Sequence, residues 1–158
     1  MRRGGPALRT GALAALLGAA GAFALPARAQ ALAAFEERDG GIHAPLTGTP
    51  GDAARGRRIA IDPLRGNCLI CHRVPDAPRE GFQGDIGPPL AGVGTRVTAT
   101  RLRLRIVDGT RINADTVMPA YHRIDALARV APEWQGRPVL SAQEVEDVVA
   151  WLLTLHAQ

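Results

Sequence analysis

The run Asn67-Cys68-Leu69-Ile70-Cys71-His72 sets two thiols three residues apart and places an imidazole directly after the second. This CxxCH spacing is the attachment signal for a c-type haem: the thiols add across the two vinyl groups as thioethers, and the adjacent histidine becomes the proximal iron ligand. A zinc site needs four ligands, and the chain has no cysteine beyond these two to supply a second pair. A CxxC redox pair has no use for a histidine at the next position. The chain is therefore committed to folding around a large, flat, apolar ring. The aromatics available to the rest of the core are few: Phe35, Phe82, Tyr121, Trp134 and Trp151 are all that follow residue 29.

Residues 1–29 read as a secretory signal peptide. Arg2, Arg3 and Arg9 give a positive start, Leu13 to Leu25 is apolar, and Ala27-Arg28-Ala29 is a small-x-small cleavage site before Gln30. The apolar run is shorter than the roughly 20 residues that span a bilayer, which favours cleavage over anchoring. Gly4-Gly5-Pro6 departs from the usual surroundings of a twin-arginine signal. Haem is attached to unfolded chains outside the cytoplasm, so export in the unfolded state and a bacterial periplasmic location are expected.

Cleavage also changes the charge. The full chain carries +4, with 19 basic residues, all arginine, against 15 acidic ones, and four of the arginines lie in the leader. The mature chain is balanced, which removes the basic excess that a nucleic-acid partner would require. No membrane span is expected after cleavage.

The remaining 129 of 158 residues suit one small domain. Residues 30–50 mix Gly40-Gly41, Pro45 and Gly48 with isolated apolar residues and read as an extended N-terminal arm; residues 51–158 form the domain. Asp52 can cap a helix over Ala53 to Ile61, with Gly56, Ile59 and Ala60 as its packing face, before Pro63 stops it. A loop dense in proline and glycine follows the CxxCH site. In it, Gly87-Pro88-Pro89-Leu90 can present a backbone carbonyl at a fixed position, and Pro88 is the candidate for holding the second ring nitrogen of His72.

Arg101-Leu102-Arg103-Leu104-Arg105 alternates as a strand would, but a lone strand has no partner here, so a helix ending near Asp108-Gly109 is expected, with its arginines on a solvated face. The last helix opens on Ser141-Ala142-Gln143-Glu144, a capping box, and continues with Val145, Val148, Val149, Leu152 and Leu153 at helical spacing. The helix around Gly56 is its natural partner. The stretch from Tyr121 to Leu140 is longer than a connection needs and suggests an interface.

The distal iron ligand follows by elimination. Met118 is the one methionine besides the initiator, and it stands before Pro119, whose fixed geometry can aim a thioether. His122, four positions on, is its nearest rival; His43 and His156 are more remote.

Taken together, a helix, CxxCH, a GPPL turn, a further helix, a Met-Pro loop and a final amphipathic helix resemble a class I cytochrome c, an all-α domain wrapped around one covalent haem c. Gly51-Asp52 with Arg57-Arg58-Ile59-Ala60, Gly66-Asn67-Cys68-Leu69, Gly87 to Gly94, Met118-Pro119-Ala120-Tyr121 and Ala142 to Asp147 narrow the resemblance to the SoxX family, from about Leu46 to Leu155. That family is the monohaem subunit of SoxAX, which oxidatively joins thiosulfate to a cysteine of the carrier SoxYZ. The resemblance implies a SoxA partner that carries the L-cysteine S-thiosulfotransferase chemistry, and a soluble cytochrome c that accepts electrons. With both cysteines used as thioethers, this chain has no sulfur nucleophile and no catalytic residue of its own is expected. The competing possibilities are a freely diffusing monohaem carrier and a haem enzyme with an open distal position.

Overall fold

The computed structural model describes residue 1, residues 32–77 and residues 81–156. The leader expected at 1–29 lies outside the described residues apart from Met1. The order of elements is strands β1 (Glu37–Arg38) and β2 (Gly41–Ile42), helix α1 (Ala53–Ile61), a 3-10 turn at Cys68–Ile70, the short helix α2 (Val93–Arg96), α3 (Ala99–Asp108), 3-10 turns at Gly109–Arg111 and Pro132–Trp134, and α4 (Ala142–Thr154).

Helices α1 and α4 begin at the caps expected of them, and α3 begins at Thr98. The Asp52 side chain accepts from the Arg55 N–H, and Thr98 does the same for Arg101. At Ser141 both halves of the capping box are made, with Glu144 reaching back to the Ser141 N–H. These bonds satisfy amide donors that the first helical turn leaves without partners.

Helices α1 and α4 cross at Gly56. A Cβ at that position would lie 1.9 Å from the Asp147 carbonyl oxygen, so only glycine allows this approach. The crossing is tied by Asp147, whose side chain is fully buried and accepts from the Asp52 N–H (2.9 Å), from Arg55 Nη2 (2.7 Å) and from Arg55 Nε. Ile59, Ala60, Val145, Val148, Val149, Trp151 and Leu152 form the shared core, and Leu104 and Val107 of α3 extend it.

The chain departs from the expected arm. β1 and β2 pair antiparallel, with Glu37 opposite Ile42 and Arg38 opposite Gly41, so Asp39-Gly40 is a two-residue loop. Both loop residues have positive φ, 52° and 69°, as a type I′ hairpin turn requires. The hairpin docks on α3, and Ile42 is fully buried. A single apolar residue gives no periodicity, which is why this segment reads as extended from sequence alone.

Arg103 departs too. Arg101 is exposed, but Arg103 is buried and bonded to Glu146 of α4. At 100° per residue, positions 101 and 105 share a side of a helix and position 103 faces the other way. Alternation along the sequence therefore cannot give one solvated arginine face.

Candidate metal centre

α1 stops at Ile61, and the chain doubles back at once: the Gly66 N–H donates to the Ile59 carbonyl (3.0 Å) and the Asn67 N–H to the Asp62 carbonyl (3.0 Å). Asn67 takes the left-handed conformation, φ 46°, which asparagine tolerates better than most residues. The following 3-10 turn closes with Cys71 and His72 N–H groups on the Cys68 carbonyl (3.2 and 2.9 Å). Side chains three apart in such a turn eclipse, which brings Cys68 and Cys71 to one side. Both thiols are free and half-buried. Burial pushes the Cys68 thiol up to about 12, the opposite of the lowered value a redox CxxC needs to make its thiolate.

The Pro/Gly loop is laid against this turn. The Gly84 N–H donates to the Leu69 carbonyl (2.8 Å), Gly87 to Cys71 (2.8 Å) and Leu90 to Arg73 (2.9 Å). His72 Nδ1 stands 2.7 Å from the Pro88 carbonyl oxygen. A carbonyl only accepts, so Nδ1 carries the proton and Nε2 is left with its lone pair for a metal. Gly87 makes room for the ring: a Cβ there would lie 2.3 Å from His72 Cε1.

Met118 is half-buried against the core, and its N–H donates to Thr116 Oγ1 (3.2 Å). Three residues on, the Tyr121 hydroxyl donates to the Gly66 carbonyl (2.7 Å), joining the Met118 loop to the segment that leads into Cys68. His122 has neither ring nitrogen to spare. Its Nδ1 is 2.7 Å from the Leu140 carbonyl, and its Nε2 accepts the Ala33 N–H at 3.2 Å. His43 and His156 are exposed.

The segments around these residues carry large apolar side chains in the open. Ile70, Phe82, Ile86 and Val117 are 54–81% exposed, and each lies within two residues of Cys71, Gly84, Gly87 or Met118. Apolar surface of this kind marks a site that another apolar body covers. With two thiols and an oriented imidazole as the donor set, these residues fit a covalently held porphyrin. Among the described residues no three His, Cys, Asp or Glu side chains gather as an alternative metal cluster. The cleft lined by Phe35, Asp108, Arg111, His122 and Arg123 contains none of the CxxCH residues.

Comparison with known proteins agrees with the chemistry. The model of the cytochrome c family matches residues 53–156. No curated protein sequence matches the chain. Among solved structures, a chain of SoxXA from P. pantotrophus is 36% identical, with a TM-score of 0.72, over 77% of this chain and 94% of that one. The chain belongs to the cytochrome c family, in its SoxX branch. As a cytochrome c it carries covalent haem c and serves electron transfer. Its mostly helical fold is the class I cytochrome fold, to which the small hairpin is added. No helix among the described residues is long and apolar enough to cross a membrane.

Sequence reasoning missed three residues that organise this cytochrome: Arg103, Tyr121 as a hydrogen-bond donor, and the doubly bonded His122. Only the first had a signal in the sequence, the helical phase of the alternating arginines.

Proposed function

We propose that this cytochrome is the electron-transferring subunit of a periplasmic SoxAX complex, exported by the leader at residues 1–29. The observation that carries the proposal is the 36% identity to a chain of SoxXA across 94% of that chain. One haem would be held by thioethers at Cys68 and Cys71, with His72 and Met118 supplying ligands to its iron and the Pro88 carbonyl orienting His72. When bound, the haem supplies a one-electron iron couple whose potential the thioether ligand raises.

The chain's own residues bind and orient. Cys68 and Cys71 tether, Pro88 keeps the proton on Nδ1 so that Nε2 stays a ligand, and Met118 fills the position a substrate would need. No thiol is left for sulfur chemistry. Joining thiosulfate to the SoxYZ cysteine accordingly falls to SoxA, and this subunit passes electrons from SoxA to a soluble cytochrome c.

Purification from the native host tests the assembly: a second haem subunit is expected to accompany this chain, whereas a lone monohaem protein would support the freely diffusing carrier. A ferrous protein that takes up carbon monoxide readily would refute a filled distal position. Replacing Met118 by Ala is expected to remove the far-red charge-transfer band of ferric His/Met haem.

A further inference from the structure

The two loops that carry the iron ligands come from distant parts of the chain, and one buried side chain joins them. Tyr121 is 7% exposed, and its hydroxyl donates to the Gly66 carbonyl at 2.7 Å across 55 residues. Both ends of this link are fixed. The Gly66 N–H is held by the Ile59 carbonyl (3.0 Å), and a Cβ on Gly66 would lie 2.7 Å from that oxygen, so the segment cannot slide along the end of α1. On the other side, the Tyr121 N–H donates to the Ile106 carbonyl (3.1 Å) and the Leu140 N–H donates to the Tyr121 carbonyl (2.9 Å). Between Met118 and Tyr121 lies Pro119, which has no N–H and a fixed φ. Gly66 is two residues before Cys68 and Tyr121 three after Met118.

We propose that Tyr121 is a positioning residue whose hydroxyl sets the Met118 loop against the haem-attachment loop and so keeps the thioether on the iron. The proposal rests on Met118 as the distal ligand. Thioether sulfur is a weak ligand that exogenous imidazole can displace, and displacement requires the Met118 loop to move away. Breaking the link to Gly66 lowers the cost of that movement without touching the iron or the tether. Burial holds the phenol well above its ordinary value, so the donor stays protonated throughout the pH range of the measurement.

The test uses ferric holoprotein titrated with imidazole, read as loss of the far-red charge-transfer band. In Tyr121→Phe the band is expected at the start, and imidazole binds about two- to tenfold more tightly, the range one buried hydrogen bond supports. Asp52→Ala, which removes the cap at the end of α1 remote from Gly66, is expected to lower the melting temperature and leave imidazole affinity unchanged. An unaltered affinity in Tyr121→Phe, or an equal gain in Asp52→Ala, overturns the proposal. If Met118→Ala keeps the band, the ligand assignment itself falls and the proposal with it; if that variant loses the band while Tyr121→Phe behaves as the parent, the proposal alone falls. In the unaltered ferrous protein the Tyr121 hydroxyl proton should be visible by NMR as slowly exchanging, and a freely exchanging one would equally overturn it.

Discussion

Replacing Glu146 by Leu removes one half of the buried charge pair that joins α3, α4 and the hairpin. Arg103 Nε and Nη2 donate to the two Glu146 oxygens at 2.7 and 2.9 Å, and the side chains are 7% and 6% exposed. The same pair holds the N-terminal segment: Arg103 Nη1 donates to the Ile42 carbonyl at 2.7 Å, and Glu146 Oε1 accepts the Leu46 N–H at 2.8 Å. Without Glu146, a buried guanidinium keeps only the Ile42 carbonyl, and the Leu46 amide loses its acceptor. Removing one partner of a buried pair costs about 3–5 kcal/mol, because the remaining charge is uncompensated. A surface pair would cost no more than about 1 kcal/mol. For a domain of this size the larger figure corresponds to a fall in melting temperature of roughly 10–20 °C. The double variant Arg103→Met, Glu146→Leu removes both charges and leaves only the Ile42 and Leu46 backbone groups short of partners, so it is expected to be more stable than Glu146→Leu alone.

Thermal and guanidinium unfolding of the holoprotein, followed by far-ultraviolet circular dichroism, measures all three proteins. Limited proteolysis adds a local readout: the chain between Ile42 and Ala53 should be cut faster in Glu146→Leu, where the Leu46 amide has lost its acceptor, and faster again if the double variant also frees the Ile42 carbonyl. A Glu146→Leu variant within about 1 kcal/mol of the parent would refute the reasoning, because it would mean that water screens the pair. So would a double variant as unstable as the single one.

Gly56→Ala replaces a poor helix former with the best one, yet the added Cβ would meet the Asp147 carbonyl at 1.9 Å; a loss of about 1–3 kcal/mol in guanidinium unfolding is expected, and stabilisation would show that the helices do not cross there. Burial works to raise the Asp147 carboxyl, but hydrogen bonds from Arg55, the Asp52 amide and Gln143 outweigh it and hold the group below the ordinary carboxylate value. Its stabilising contribution is therefore complete above about pH 4 and is lost as pH falls through the lower folded value; Asp147→Asn should be less stable at neutral pH and flatten the acid limb of the stability curve, and an unchanged limb would count against the assignment. The Cys68→Ala, Cys71→Ala double variant, unable to tether haem, should lose cooperative unfolding, and a sharp thermal transition in that protein would contradict the porphyrin's place in the core.

What the sequence disclosed was local. Asp52 bonds an amide three residues on, and Ser141 and Glu144 cap each other. Each of these needs only the chain's own short-range geometry, so spacing reveals it. The Asp39-Gly40 hairpin was also written locally, as a two-residue turn signal, but it was masked by strands too short to alternate. Partners supplied by packing were not legible in this way: His122 meets the Ala33 amide across 89 residues, and Glu146 meets the Leu46 amide across 100. Arginine shows the difference most clearly. As the chain's only basic residue apart from histidine, it gives no clue by identity to which copies are structural. Arg101 faces solvent, whereas Arg103, two residues along the same helix, is enclosed by a carboxylate and a backbone carbonyl. Helical phase decides between them, and once α3 is taken as a helix, that phase requires one of the alternating arginines to face inward and to find an acid there.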